Sequence, residues 1–257
     1  MHIQTIAIVN RRGGVGKTAT AHALGSGLRR NGFKVLFIDL DSQTNLTFDM
    51  GATVEHPSAL DLLTGNVGAD EAIISTSQGD IIPASPELAA ADVILTETGK
   101  EYRLKEALVP ISDKYDFAII DTPPALGTIT TNALTAANVA IIPAQAEIHS
   151  LQGIGLLNET LQAVKKYTNP SLIVDGILLT RYNGRAVISR DMRESMENMA
   201  TALKTRVYKT TIRECISLKE AQAQQQDIFT YAPRSNAAKD YADFINEFFE
   251  NQEIERK

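Results

Sequence analysis

A doubly wound α/β fold, one mostly parallel sheet with helices on both faces, is predicted for this chain. Two features of the sequence predict it. Short apolar runs alternate with helical patterns from end to end, and the runs are continuous rather than alternating, as in strands buried on both faces. A third feature agrees: the chemically active residues gather just after the runs, and such sheets bind ligands at the carboxyl ends of their strands.

The first run, Ile6-Ala7-Ile8-Val9, predicts a strand from Thr5 to Asn10, and Ala21, Leu24 and Leu28, spaced by three and four, predict a helix from Lys17 to Asn31. Val35-Leu36-Phe37-Ile38 predicts a second strand ending at Asp39. Further strands are expected at Asp80 to Pro83, Phe117 to Asp121, Val139 to Pro143, Ile173 to Leu179 and Arg206 to Thr210. Between and after them, helices are expected at Ser58 to Leu63, Glu87 to Leu95, Arg103 to Ser112, Thr130 to Ala137 and Leu151 to Tyr167. Ile188 to Leu203, Leu218 to Gln225 and Ala237 to Glu250 complete the helices. No Pro, Ser or Gly linker interrupts the alternation, so residues 1–257 are expected to form a single domain, with no separate N-terminal DNA-binding domain.

The 257 residues suffice for a well-buried core, and 44% hydrophobic with 22% charged residues is ordinary globular composition. No apolar run is long enough to span a bilayer and no signal-peptide pattern precedes the first strand, so a cytoplasmic protein without stable membrane insertion is expected. Cys215 is the only cysteine, which excludes an internal disulfide. A net charge of −6 argues against a surface made wholly for nucleic acid but leaves room for a local basic patch.

Between the first strand and helix lies Asn10-Arg11-Arg12-Gly13-Gly14-Val15-Gly16-Lys17-Thr18-Ala19. Glycines there let backbone N–H groups turn toward an anion, the helix start adds partial positive charge and Lys17 adds a full one. Thr18 can offer a hydroxyl to the magnesium ion that accompanies a nucleoside triphosphate. The usual P-loop spelling has glycine where Arg11 stands. A dinucleotide site competes, since Gly14, Gly16 and Ala19 match its fingerprint and Asp39 follows about twenty residues on, but that fingerprint does not call for Lys-Thr in the first helical turn.

Two acidic motifs follow strands: Asp39-Leu40-Asp41-Ser42-Gln43-Thr44-Asn45, and Phe117-Ala118-Ile119-Ile120-Asp121-Thr122-Pro123-Pro124. The second brings a carboxylate beside the loop, where a metal's solvation shell needs one, and its two prolines end the strand.

The loop spelled basic-Gly-Gly-x-Gly-Lys-Thr, with these two motifs, resembles the deviant P-loop ATPases of the ParA and MinD family, with Arg12 at the place of the family's signature lysine. The resemblance runs over essentially the whole chain and implies a P-loop NTPase that uses ATP and Mg2+. It implies that residues 12–19 wrap the phosphates, that Arg12 reaches a dimer partner's phosphates, and that Thr18, Asp39 and Asp121 serve the magnesium. Asp41 would direct the attacking water, and Gln43 and Asn45 would sense the γ-phosphate. The base would lie near Arg181, Arg213 and Cys215, although Arg213 and Cys215 stand where the family commonly has proline and asparagine.

The resemblance further implies an ATP-dependent homodimer, non-specific DNA binding through Arg185, and a cargo-bound ParB-like activating partner. Ser217 replaces another basic DNA-contact position. Arg190, Arg193, Arg206, Lys209, Arg213 and Lys219 are either a compensating patch or solvated charges. A MinD-like or cargo-positioning ATPase shares the same motifs, as does a nucleotide-dependent scaffold with little turnover. The C-terminal stretch with Tyr241, Phe244, Ile245, Phe248 and Phe249 is amphipathic, but its polar face carries Asp240, Asp243, Glu247 and Glu250, which favours a helix docked on its own domain over a membrane helix. A four-cysteine cluster shared across a dimer is not expected, because two copies of Cys215 supply only two thiolates.

Overall fold

The computed structural model describes residues 3–53 and 57–255. Along the chain come β1 (Gln4–Ile8), α1 (Lys17–Arg30), β2 (Val35–Asp39), α2 (Asn45–Asp49), α3 (Ala59–Thr64), α4 (Ala69–Ala72), β3 (Ile74–Thr76) and β4 (Gly79–Ile82). Next are α5 (Ala91–Ile94), α6 (Arg103–Leu108), β5 (Phe117–Asp121), α7 (Thr128–Ala136), β6 (Val139–Ala144), α8 (Ile148–Tyr167) and β7 (Ile173–Thr180). The last are α9 (Val187–Ala202), β8 (Val207–Ile212), α10 (Ile216–Ala223), α11 (Ile228–Tyr231) and α12 (Asn236–Gln252).

The strands form one eight-stranded sheet in the order β3-β4-β2-β5-β1-β6-β7-β8, parallel throughout except for β3 against β4. Successive residues of a strand point to opposite faces, and both faces are covered. Ile6 and Ile8 pack with Leu24 of α1 and Phe244 of α12, whereas Ala7 and Val9 pack with Leu134 of α7 and Leu157 of α8. This two-sided burial is why the central strands are apolar on both faces along most of their length, with Asp39 and Asp121 at their carboxyl ends. The doubly wound sheet is therefore the one expected.

Some elements differ from expectation. The β3 strand has only three residues, Ile74-Ser75-Thr76, too short and too polar for a periodic signal. The stretch expected as one helix over Glu87 to Leu95 is a 3-10 turn, Pro86–Ala90, followed by α5. Beyond α6 the chain tightens into a further 3-10 turn at Val109–Ile111, where Pro110 has no N–H to donate to a continuing α-helix. The α2, α4 and α11 helices are single turns that only their tertiary setting holds.

The C-terminal helix α12 lies on β8 and α1 with Tyr241, Phe244, Ile245, Phe248 and Phe249 all buried. Two of its acids face the protein, Asp240 and Glu247. Glu247 accepts the backbone N–H groups of Lys209 and Thr210 at 2.8 and 2.9 Å, covering part of the sheet edge. Among the described residues no helix is long and apolar enough to cross a membrane.

Where α1 meets β2 the approach is close. A Cβ on Gly25 would stand 2.2 Å from the ring of fully buried Phe37. Gly25→Ala is therefore expected to cost about 1–3 kcal/mol of unfolding free energy despite its better helix propensity, read by urea unfolding. An unchanged midpoint would show that the ring has room to move.

Candidate functional site

The loop between β1 and α1 is shaped by residues from other strand ends. Buried Asn10 donates to the Pro143 carbonyl at 2.7 Å and accepts the Arg12 backbone N–H at 3.0 Å. Gln145, just past β6, donates to the Gly14 carbonyl at 3.0 Å, and Thr180, ending β7, donates to the Val15 carbonyl at 2.8 Å. Lys17 Nζ lies 3.2 Å from the Arg12 carbonyl. With these carbonyl acceptors satisfied by the protein, what the loop offers a ligand is its amide N–H donors, the arrangement that cradles an anion. Gly14 and Gly16 have φ of 75° and 86°, a region costly for other residues, and Gly16 stands at the N-cap of α1. Asn10, Gln145 and Thr180 are single polar residues at strand ends; of these only Asn10, abutting the loop, had a position that could have marked it.

Beside the loop, parallel register sets Asp39 of β2 against Asp121 of β5. Their hydrogen bonds assign them different tasks. Asp39 uses both oxygens on its own segment: Oδ2 accepts the Thr47 backbone N–H and hydroxyl, each at 2.8 Å, and Oδ1 accepts the Asp41 N–H at 3.1 Å. Asp121 Oδ2 accepts the Thr18 hydroxyl at 2.6 Å, while its Oδ1 is buried without a partner. An orphaned carboxylate oxygen next to a hydroxyl is the donor set magnesium takes from a protein when phosphates and water supply the rest. Among the described residues no group of three or more His, Cys, Asp or Glu side chains could hold a metal alone, which suits that division.

Burial sets the charges. It raises the Asp121 pKa well above the usual carboxylate range and that of Asp39 to about 6. Burial lowers the Lys17 pKa, against the opposing pull of Asp121 and Asp41. Asp41 is 8% exposed, accepts the Gln43 N–H at 3.1 Å, and lines the same cleft as Lys17 and Thr18. That cleft holds about 560 Å³, with Gln43, Asn45 and Pro124 also in its lining, and Thr44, capping α2, has a left-handed φ of 56°.

Residues 3–174 match the family model described as an AAA domain. Sporulation initiation inhibitor protein Soj of Bacillus subtilis is 38% identical over 96% of this chain and 98% of its own length. Chromosome partitioning protein ParA of Myxococcus xanthus is 33% identical over 92% of this chain and 84% of its own. The chain belongs to the ParA/Soj family. A crystal structure of cobyrinic acid a,c-diamide synthase from Mycobacterium smegmatis with bound ADP and magnesium shares the fold, with a TM-score of 0.84 and 32% identity over 98% of this chain and 96% of that one.

Within this ParA/Soj chain, the other expected site residues fall in different places. Arg181 lines the cleft with a left-handed φ of 48°. Arg213 and Cys215, expected at the base, do not line it. Arg213 is turned onto Asp240 of α12, with Nε at 2.9 Å and a terminal nitrogen at 2.6 Å, and Cys215 is half-buried at the N-cap of α10 with its thiol 3.5 Å from the Ser217 hydroxyl. Arg12 points away from the cleft, ion-pairs with Glu147 at 3.0 Å, and lines a broad hollow of about 1030 Å³ with Arg11, Leu126 and Leu156. Arg185 is exposed before α9. Arg193 and Arg206 are taken up by Glu197 and Asp175, whereas Arg190, Lys209 and Lys219 stand exposed.

The raised acids give a pH prediction. A carboxyl whose folded pKa lies above its unfolded value favours folding in its protonated form, so the unliganded chain loses the Asp39 contribution as pH rises from about 4 through about 6. A divalent cation held beside Asp121 would favour the ionised forms of Asp121 and its neighbour Asp39, so their protonation opposes it. The rise in melting temperature caused by Mg-ADP should therefore be larger at about pH 7.5 than at about pH 5.5. Calorimetry at saturating ligand checks this, and equal shifts would contradict it.

Proposed function

We propose that the chain is a magnesium-dependent ParA-like ATPase working as a switch. ATP closes two chains face to face, the dimer binds DNA without sequence preference, and slow hydrolysis stimulated by a cargo-bound ParB-like protein releases it. The cargo is a plasmid, chromosome or mobile element, and the ATP-bound form sits on the nucleoid in the cytoplasm. The observation that carries the reading is the unpartnered Asp121 oxygen beside Thr18, next to a loop whose carbonyls of Arg12, Gly14 and Val15 are already engaged.

In this reading residues 13–19 hold the phosphates through backbone N–H groups, and Lys17 bridges them with its charge. Thr18 and Asp121 hold magnesium, with Asp39 bracing the segment that carries Asp41; the ion, when bound, neutralises charge developing on the phosphates. Asp41 accepts a hydrogen bond from the attacking water and orients it, and Arg12 adds positive charge at the phosphates once released from Glu147. The Arg12–Glu147 pair favours a second reading, a nucleotide-dependent scaffold with little turnover, and phosphate release separates the two.

Retention of the protein on non-specific duplex DNA tests the switch, using ATP, ADP or no nucleotide at two salt concentrations. Retention with ATP only, reduced by salt and by Arg185→Ala, is expected, and the salt slope should fall by about one for each phosphate that the variant leaves unneutralised. No retention under any condition would move the weight to a membrane, a protein assembly, or the synthase chemistry named for the M. smegmatis protein.

A further inference from the structure

Beyond the phosphate loop and the Asp41 segment, the cleft is lined by Ala19, Asp49, Arg181 and Gln222. Asp49 ends α2 and is 3% exposed. It is fixed from two sides. Gln222 of α10 donates Nε2 to its Oδ2 at 2.8 Å, and its backbone carbonyl accepts Gln78 Nε2 at 2.7 Å. Gln78 also reaches the Gln225 carbonyl at 2.9 Å, while its Oε1 lies 2.9 Å from His22 Nε2 inside α1. Two segments 173 residues apart are thus joined at the cleft wall by an acid that cannot swing away.

A carboxylate in a cleft that takes a polyanion is unfavourable beside the phosphates, and it loses its remaining water when a ligand enters. The cost is offset only where the ligand brings a hydrogen-bond donor. A nucleoside has two kinds: the ribose hydroxyls, which carboxylates bind in other nucleotide sites, and the exocyclic amino group of adenine, which hypoxanthine replaces with an acceptor oxygen. Asp49, Arg181 and Gln222 are the polar side chains that line the cleft beyond the phosphate loop and the Asp41 segment.

We propose that Asp49, held in place by Gln222, accepts a hydrogen bond from the nucleoside of the bound nucleotide and sets its selectivity. The proposal rests on the cleft being a nucleoside triphosphate site. Calorimetric affinities of the full chain for Mg-ATP, Mg-2′-deoxy-ATP and Mg-ITP test it, alongside Asp49→Asn and Gln222→Leu. The native chain should prefer ATP to one analogue by about tenfold or more, the usual scale for a lost hydrogen bond to a charged group. Preference over ITP identifies the amino group as donor, and preference over 2′-deoxy-ATP the 2′-hydroxyl. Asp49→Asn should erase that ratio while still binding nucleotide, and Gln222→Leu, which keeps the acid but frees it, should shrink it. If Asp49→Asn does not fold, the Gln222→Leu ratio decides. Equal affinities for all three in the native chain, or a ratio unchanged in the variants, would overturn the proposal alone, whereas binding of none of them would overturn the nucleotide reading beneath it.

Discussion

Lys17→Ala should abolish nucleotide binding by this chain, weakening Mg-ADP by roughly a hundredfold or more, the scale of removing a buried charge-assisted contact to an oxyanion. Lys17 is 7% exposed, and burial favours its neutral form. The nearby charges of Asp121 and Asp41 pull the other way, and incoming phosphates add to that pull. With no ligand its amine rests on the Arg12 carbonyl at 3.2 Å, a contact it can exchange for phosphate without moving the backbone. Lys17→Arg should not restore binding, because the larger fork must fit the same closed space. Titration calorimetry checks both variants, and a folded Lys17→Ala chain within about threefold of native affinity would remove the loop from the account.

Asp41→Ala should separate binding from turnover. The side chain sits in the cleft near Lys17 and Thr18, and its own segment is secured independently of its carboxylate, by Asp39 on the Asp41 and Thr47 amides. Removing the carboxylate should therefore leave nucleotide affinity nearly intact while phosphate release falls by on the order of 100-fold or more, the usual weight of a positioned base. Unchanged release would assign the water to another group.

The central sheet was legible because both of its faces are buried: β2 and β5 run from Val35 to Asp39 and from Phe117 to Asp121, as the apolar runs predict. Asp39, Asp41, Asp121, Lys17 and Thr18 announce themselves by lying at or just past the ends of such runs, and parallel register then brings them together. What could not be read is whatever depends on two distant segments meeting. Gln145 and Thr180 shape the phosphate loop from β6 and β7 without any spacing to mark them. Gln222 and Asp49 are joined only because α10 crosses to α2. Arg213 illustrates the converse: its place in the chain suggests the base, but Asp240 of α12 offers two carboxylate oxygens at hydrogen-bond distance, a stronger partner than open solvent. Arg12 is held likewise by Glu147, so its side chain faces the outer hollow rather than the cleft.

In the proposed switch a triphosphate in this cleft closes two copies of the chain. Sedimentation velocity of the Asp41→Ala protein, whose hydrolysis is expected to be slowed, with Mg-ATP and Mg-ADP at saturating concentration, is the test. A dimer with Mg-ATP and a monomer with Mg-ADP are expected. A monomer with both nucleotides, at full occupancy, would contradict it.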